Sequence, residues 1–137
     1  MLISDDDTGE LIFAMVRGEM SNDELVGKRV PAGKGVVSWV AEHRRAAIVN
    51  NAAADERFYD GMDNEIEYKT DSLLAAPLIG GGRVIGVVEV INKKDGELFT
   101  MGNQTLLSVM CRFAGELMFT LVKNIDLTTT LHFKKPR

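Results

Sequence analysis

Two apolar runs flank three consecutive glycines near the middle of the chain, and no other feature limits the possible folds as much. Ser72–Ile79 (SLLAAPLI) and Val84–Asn92 (VIGVVEVIN) have strand length, and Gly80-Gly81-Gly82 between them supplies the positive-φ residues of a tight hairpin turn. An antiparallel pair is therefore expected here. Pro77 has no N–H, so its strand should lie at an edge or carry a bulge at that point.

The rest of the chain fits around this pair. Met1–Ser4 and Leu11–Val16 bracket the turn-forming stretch Asp5-Asp6-Asp7-Thr8-Gly9 and read as a second hairpin. Ser21–Lys28 is polar and reads as loop. The breaker cluster Pro31-Ala32-Gly33-Lys34-Gly35 leads into Val36–His43, whose valines fall at helical spacing. Ala46–Val49 is a short strand, Asn50–Glu56 a loop, and Arg57–Lys69 a polar, aromatic-dotted segment without clear periodicity. Lys93–Gly96 is a turn. Thr100 is placed to N-cap a long helix. Leu106, Met110, Phe113, Leu117 and Leu121 form one stripe along it, and Leu107, Ala114, Met118, Val122 and Ile125 a second. An apolar surface that wide predicts a helix packed on a sheet and on another helix together. Consecutive hairpins with covering helices define an α+β class built on an antiparallel sheet. One domain over residues 1–125 is expected, with 126–137 as a linker or tail.

Composition narrows the function. In 137 residues, 16 Lys and Arg face 20 Asp and Glu, for a net charge of −4. No basic stripe suggests a nucleic-acid or membrane-surface partner. One Cys and two His argue against disulfides and against Cys- or His-based metal sites. Asp60, Asp63, Glu65 and Glu67 do not match a calcium-loop pattern. The triple glycine leads into a strand and lacks a following G-K-[ST], so it is not a nucleotide-phosphate loop. No unbroken apolar run nears the ~20 residues of a membrane span, and the N-terminus lacks the pattern of a signal peptide. A cytoplasmic setting is the resulting expectation.

Five segments in order resemble the GAF domain family: VPAGKGVVSWV, NNAAADERF, TDSLLAAPLI, GGRVIGVVEVINK and FTMGNQTLLSVM, spanning roughly residues 28–124. DERFYDGMDNEIEYKTDSLL and VIGVVEVINKKDGELF resemble in particular the regulatory GAF domains of cyclic-nucleotide phosphodiesterases. The resemblance implies a six-stranded antiparallel sheet with helices on both faces. It also implies a role in binding a small molecule, in dimerising, or in both, and in signalling to an attached output domain. GAF domains usually begin with a helix ahead of the first strand, whereas this chain begins at the strand. In the cyclic-nucleotide-binding subgroup an N-K-x(n)-F-x-x-x-D-E motif is typical. Asn92, Lys93 and Phe99 match it, but Asn103-Gln104 replaces the acidic pair, leaving Lys93 only a neutral acceptor at Asn103.

Glu89 is the most informative candidate, a carboxylate in an apolar strand on the face expected to carry Ile85, Val87 and Ile91. It must be paired, hydrogen-bonded or used. The resemblance makes it a purine-contacting acid; an Arg-paired surface Glu is the alternative. Val36 and Val37 open the short helix, where free N–H groups favour an anion. The resemblance assigns them a cyclic phosphate, and capping by water is the alternative. Tyr59, Asp63, Ile66 and Thr70 would form a lid over the pocket, or else an ordinary surface loop. Cys111 reads as a small buried hydrophobe, and His43 as a helix-closing residue. The expected function is non-catalytic small-molecule sensing, with a cyclic nucleotide as the possible ligand, no cofactor or metal, and a homodimer through the long C-terminal helix. A dimerisation module with a vestigial pocket is the alternative. A small redox enzyme is a second, opposed by the Cys and His counts.

Overall fold

The computed structural model describes residues 1–18 and 22–124. Six strands form one antiparallel sheet: β1 (Leu2–Ser4), β2 (Leu11–Phe13), β3 (Arg29–Val30), β4 (Ala47–Val49), β5 (Leu73–Gly80) and β6 (Arg83–Ile91), in the order β3-β2-β1-β6-β5-β4. Both expected hairpins are present. Leu2 pairs with Phe13, and Leu73–Gly80 pairs along Arg83–Ile91. Gly81 (φ 60°) and Gly82 (φ 77°) form the two-residue turn between β5 and β6, a left-handed pair that few other residues could adopt without strain.

Pro77 sits next to a bulge and beyond the end of a neighbour. β4 pairs only with Leu73–Ala75, so no strand on that side needs a proline N–H. On the other side, Leu78 faces Gly86 while Ile79 faces Val84, which leaves Ile85 as the extra residue of a bulge. This bulge corrects one expectation. Glu89 does share its face with Val87 and Ile91, but Ile85 packs with the cluster on the opposite face.

Helices cover both faces. α2 (Gly35–His43) lies over Leu2, Phe13, Ala75 and Val87. α4 (Met101–Asn124) lies over Ala76 and Leu78, with Cys111 at the contact. The α4 crossing depends on two glycines. A Cβ on Gly115 would fall 2.3 Å from the Ile79 carbonyl oxygen, and one on Gly80 would fall 2.2 Å from the Gly115 carbonyl oxygen. Backbone meets backbone here, and only glycine allows it.

Several segments are more ordered than expected. Part of the Ser21–Lys28 loop is a helical turn, α1 (Asn22–Leu25), which buries Leu25. The loop after β4 holds a 3₁₀ turn at Ala52–Ala54. The segment without periodicity contains α3 (Gly61–Ile66). Thr100 and Asn103 cap α4 reciprocally, the Thr100 N–H donating to Asn103 Oδ1 and the Asn103 N–H to Thr100 Oγ1. Of the two α4 stripes, Leu107, Ala114 and Met118 face the sheet, whereas Leu106, Met110, Phe113, Leu117 and Leu121 are exposed, and so is Val122. Ile125 and the 126–137 tail lie outside the described residues. By length and mean hydropathy (1.5), α4 is also sufficient to cross a bilayer. No unbroken apolar run marks this in the sequence, because scattered polar residues interrupt it without lowering its average.

Candidate functional site

Beneath α3, one face of the sheet and the start of α2 enclose a hollow. β6 supplies Glu89 and Ile91, β5 supplies Leu73, and α2 supplies Val36 and Val37. The segment around α3 closes it with Tyr59, Asp63, Ile66 and Thr70. All seven residues expected to meet a ligand therefore line one cavity. Its free volume is about 50 Å³, room for very few waters and far below the several hundred Å³ that enclose a typical small ligand.

The wall also contains residues that no sequence motif singled out. Phe13, Leu25, Val30, Phe58, Met62 and Ile91 make it mostly apolar. Leu25, which with Val26 interrupts an otherwise polar stretch, was the available signal for one of them. A Cβ on Gly35 (φ 82°) would lie 3.4 Å from the Tyr59 Cβ, so the α2 start runs close under Tyr59.

Glu89 has no hydrogen-bond or ion-pair partner among the described residues, so the Arg-paired alternative does not hold. Burial pushes its carboxyl up to about 7; the chain's terminal ammonium opposes the shift, and Asp63 adds to it. Asp63 is itself engaged. Its Oδ2 accepts the Thr70 N–H at 2.6 Å and its Oδ1 accepts the Thr70 hydroxyl at 2.8 Å, which fastens α3 to the start of β5. Among the described residues, no Lys or Arg lines the cavity. The favourable field for an anion comes from the start of α2, where no side chain caps the free N–H groups.

Asn92, Lys93, Phe99 and Asn103 do not reach this cavity; they build the frame beside it. Asn92 (φ 50°) accepts the Asp71 and Ser72 N–H groups and donates to the Tyr68 hydroxyl and the Lys69 carbonyl. Buried Phe99 exchanges two hydrogen bonds with the Asn50 side chain. Lys93 donates to the Leu98 carbonyl, and Asn103 spends its side chain on the α4 cap. Lys93 and Asn103 thus make local bonds and none to each other. Cys111 is buried on the opposite face of the sheet, and desolvation pushes its thiol up to about 11. His43 stacks on Trp39 at 4.3 Å. Among the described residues, no group of three or more His, Cys, Asp or Glu side chains is placed to hold a metal ion.

An open six-stranded antiparallel sheet with helices on both faces and a lidded apolar hollow over one of them is the architecture of a GAF domain. The chain belongs to the GAF domain family, whose sequence profile matches residues 1–117. It is 42% identical over 89 residues to a dual 3',5'-cyclic-AMP and -GMP phosphodiesterase 11A of Takifugu rubripes, covering 64% of this chain and 10% of that protein. It is 35% identical over 99 residues to the rod cGMP-specific 3',5'-cyclic phosphodiesterase subunit alpha of Homo sapiens, covering 72% of this chain and 11% of that one. The chain thus spans about a tenth of the length of the curated relatives it matches. In three dimensions it resembles the GAF domain of a phosphoenolpyruvate-protein phosphotransferase from Coxiella burnetii (TM-score 0.73, 22% identity, 89% of this chain and 71% of that one). It also resembles a free methionine-R-sulfoxide reductase from Neisseria meningitidis (TM-score 0.65, 20% identity, 85% of this chain and 66% of that one).

Proposed function

We propose that this GAF domain is a non-catalytic sensor of a small ring-bearing molecule, and that it regulates a larger cytoplasmic signalling protein through a dimer. The observation that carries the reading is Glu89, a carboxyl without a protein partner, aimed at an apolar hollow that also meets an uncapped helix start. A ligand suited to it offers N–H donors to Glu89, a flat apolar body to Phe58 and Tyr59, and one negative group to the α2 N–H groups. Cyclic nucleotides have this shape, and they are the substrates named for the phosphodiesterases this chain resembles. With two carboxyls and no basic side chain at the wall, a multiply charged anion is excluded on electrostatic grounds.

The 50 Å³ volume requires the lid to open first. Breaking the Asp63–Thr70 bracket frees α3 to move, and the fraction of open molecules scales the apparent affinity. The same small volume favours a second reading, a dimerisation module whose pocket no longer fills. Catalysis finds no support in the one thiol, which lies behind the sheet and stays protonated at neutral pH.

Thermal melting with cyclic GMP and with cyclic AMP separates the first two readings. A ligand at a hundredfold excess over its Kd stabilises the folded state by about 2.7 kcal/mol. We expect one of the two to raise the melting temperature by several degrees, and Glu89→Ala to weaken that ligand at least tenfold. No shift with either at millimolar concentration rejects a cyclic-nucleotide sensor and leaves the dimerisation module.

A further inference from the structure

A second groove lies away from the lidded hollow, at the β4 edge of the sheet. It holds about 620 Å³ between the end of α2, the outer side of β5 and the first half of α4. Arg44, Arg45, Arg57 and Arg112 line it, and no carboxylate does. This is the reverse of a chain whose net charge is −4. Only Arg57 has an ion pair, to Asp55; Arg44, Arg45 and Arg112 have none among the described residues. Between the cations the floor is apolar, made by Ile48, Pro77, Ile79 and Met101.

Backbone geometry adds to this. β4 is the last strand of the sheet and covers only Leu73–Ala75 of β5, so among the described residues no strand runs beside Pro77 and Ile79 on that side. An exposed strand edge next to an unopposed stretch of sheet accepts extended chains. A compact oligophosphate would call for converging donors and no apolar floor. Cations spaced along an apolar trough at a sheet edge suit a polypeptide whose acidic and apolar side chains alternate. We propose that this groove docks an extended acidic segment of a partner polypeptide, laid along the β4 edge with its carboxylates on the unpaired arginines.

The chain's only tryptophan, Trp39, lines the groove, with Arg57 and Arg45 over its ring at 4.6 and 5.6 Å. Occupancy should therefore change its emission. The probe is a decapeptide of alternating Glu and Val, compared with a Lys–Val decapeptide and a ten-nucleotide oligo-dT. The Glu–Val peptide should give a saturable change in 50 mM NaCl and bind at least fivefold more weakly in 300 mM. Anisotropy of the labelled peptide reads the variants independently of Trp39. Arg45→Glu with Arg112→Glu should weaken binding at least tenfold while the urea midpoint stays unchanged. Gln104→Glu with Ser108→Glu, which leaves Trp39 and its neighbours alone, should do the same. The proposal is overturned if no change appears at millimolar peptide, if the Lys–Val peptide binds equally, or if both double variants bind normally. Tighter binding of oligo-dT would instead make the groove a nucleic-acid site.

Discussion

At the scale of a residue, Glu89 combines a stability cost with a functional use. Its carboxyl titrates near 7 in the folded chain instead of near 4.5, chiefly through desolvation. The folded state therefore holds a proton that the unfolded state releases between those values. By linkage, Glu89 favours folding below pH 4.5, loses that contribution as pH rises toward 7, and adds nothing further above it. Glu89→Gln keeps the shape and removes the charge. At pH 8 the variant should be more stable than the parent by on the order of 1–3 kcal/mol, and the gap should close near pH 5. Urea titrations at the two pH values measure this. An equal difference at both would show that Glu89 does not experience the environment described. A substitution that stabilises is expected where a side chain is kept for binding and not for folding.

At the scale of an element, the α4–β5 crossing is set by backbone contact. Gly115→Ala places a methyl where the Ile79 carbonyl oxygen already sits, and neither backbone can yield without lifting the helix. The expected loss is about 2 kcal/mol or more, a fall in Tm on the order of 8 °C. Gly82→Ala is the control. Its Cβ would meet nothing within 4 Å, so only the left-handed φ opposes it, at about 1 kcal/mol. If the two variants melt alike, the crossing is looser than its geometry indicates. The sequence made the hairpins, α2, α4 and the α+β class legible, because periodicity and turn glycines are local signals. It also brought seven wall residues of the hollow into view through family motifs. What it hid was set by tertiary contacts. α3 has no periodic pattern, and Asp63 anchors it only because Thr70 is in reach. The bulge that sends Ile85 to the other face arises from pairing with β5, which no window of β6 alone records. Asn103, matched to a motif position facing Lys93, instead caps its own helix.

At the scale of the molecule, the exposed side of α4 and the hollow belong to one connected body. Ala75 of β5 pairs with Glu89 on the hollow's side, while Ala76 and Leu78 of the same strand support α4 on the other. Phe113 is 76% exposed, Leu106 62% and Leu117 60%, one continuous apolar stripe on a 24-residue helix. Folded monomers rarely leave a patch like that open to water. A second copy is the partner expected on it, helix against helix. At tens of micromolar, light scattering should give twice the 15.1 kDa chain mass. Phe113→Glu with Leu117→Glu should return the chain to a monomer that still unfolds cooperatively, since both side chains are exposed, and its melting temperature should no longer rise with concentration. A wild-type monomer at high micromolar concentration would rule the dimer out. If the hollow and the helix are coupled, a ligand that tightens one must tighten the other by the same factor. The dimer dissociation constant should then shift severalfold when the cyclic nucleotide that raises Tm is added, and Glu89→Ala should remove that shift without altering the ligand-free dimer.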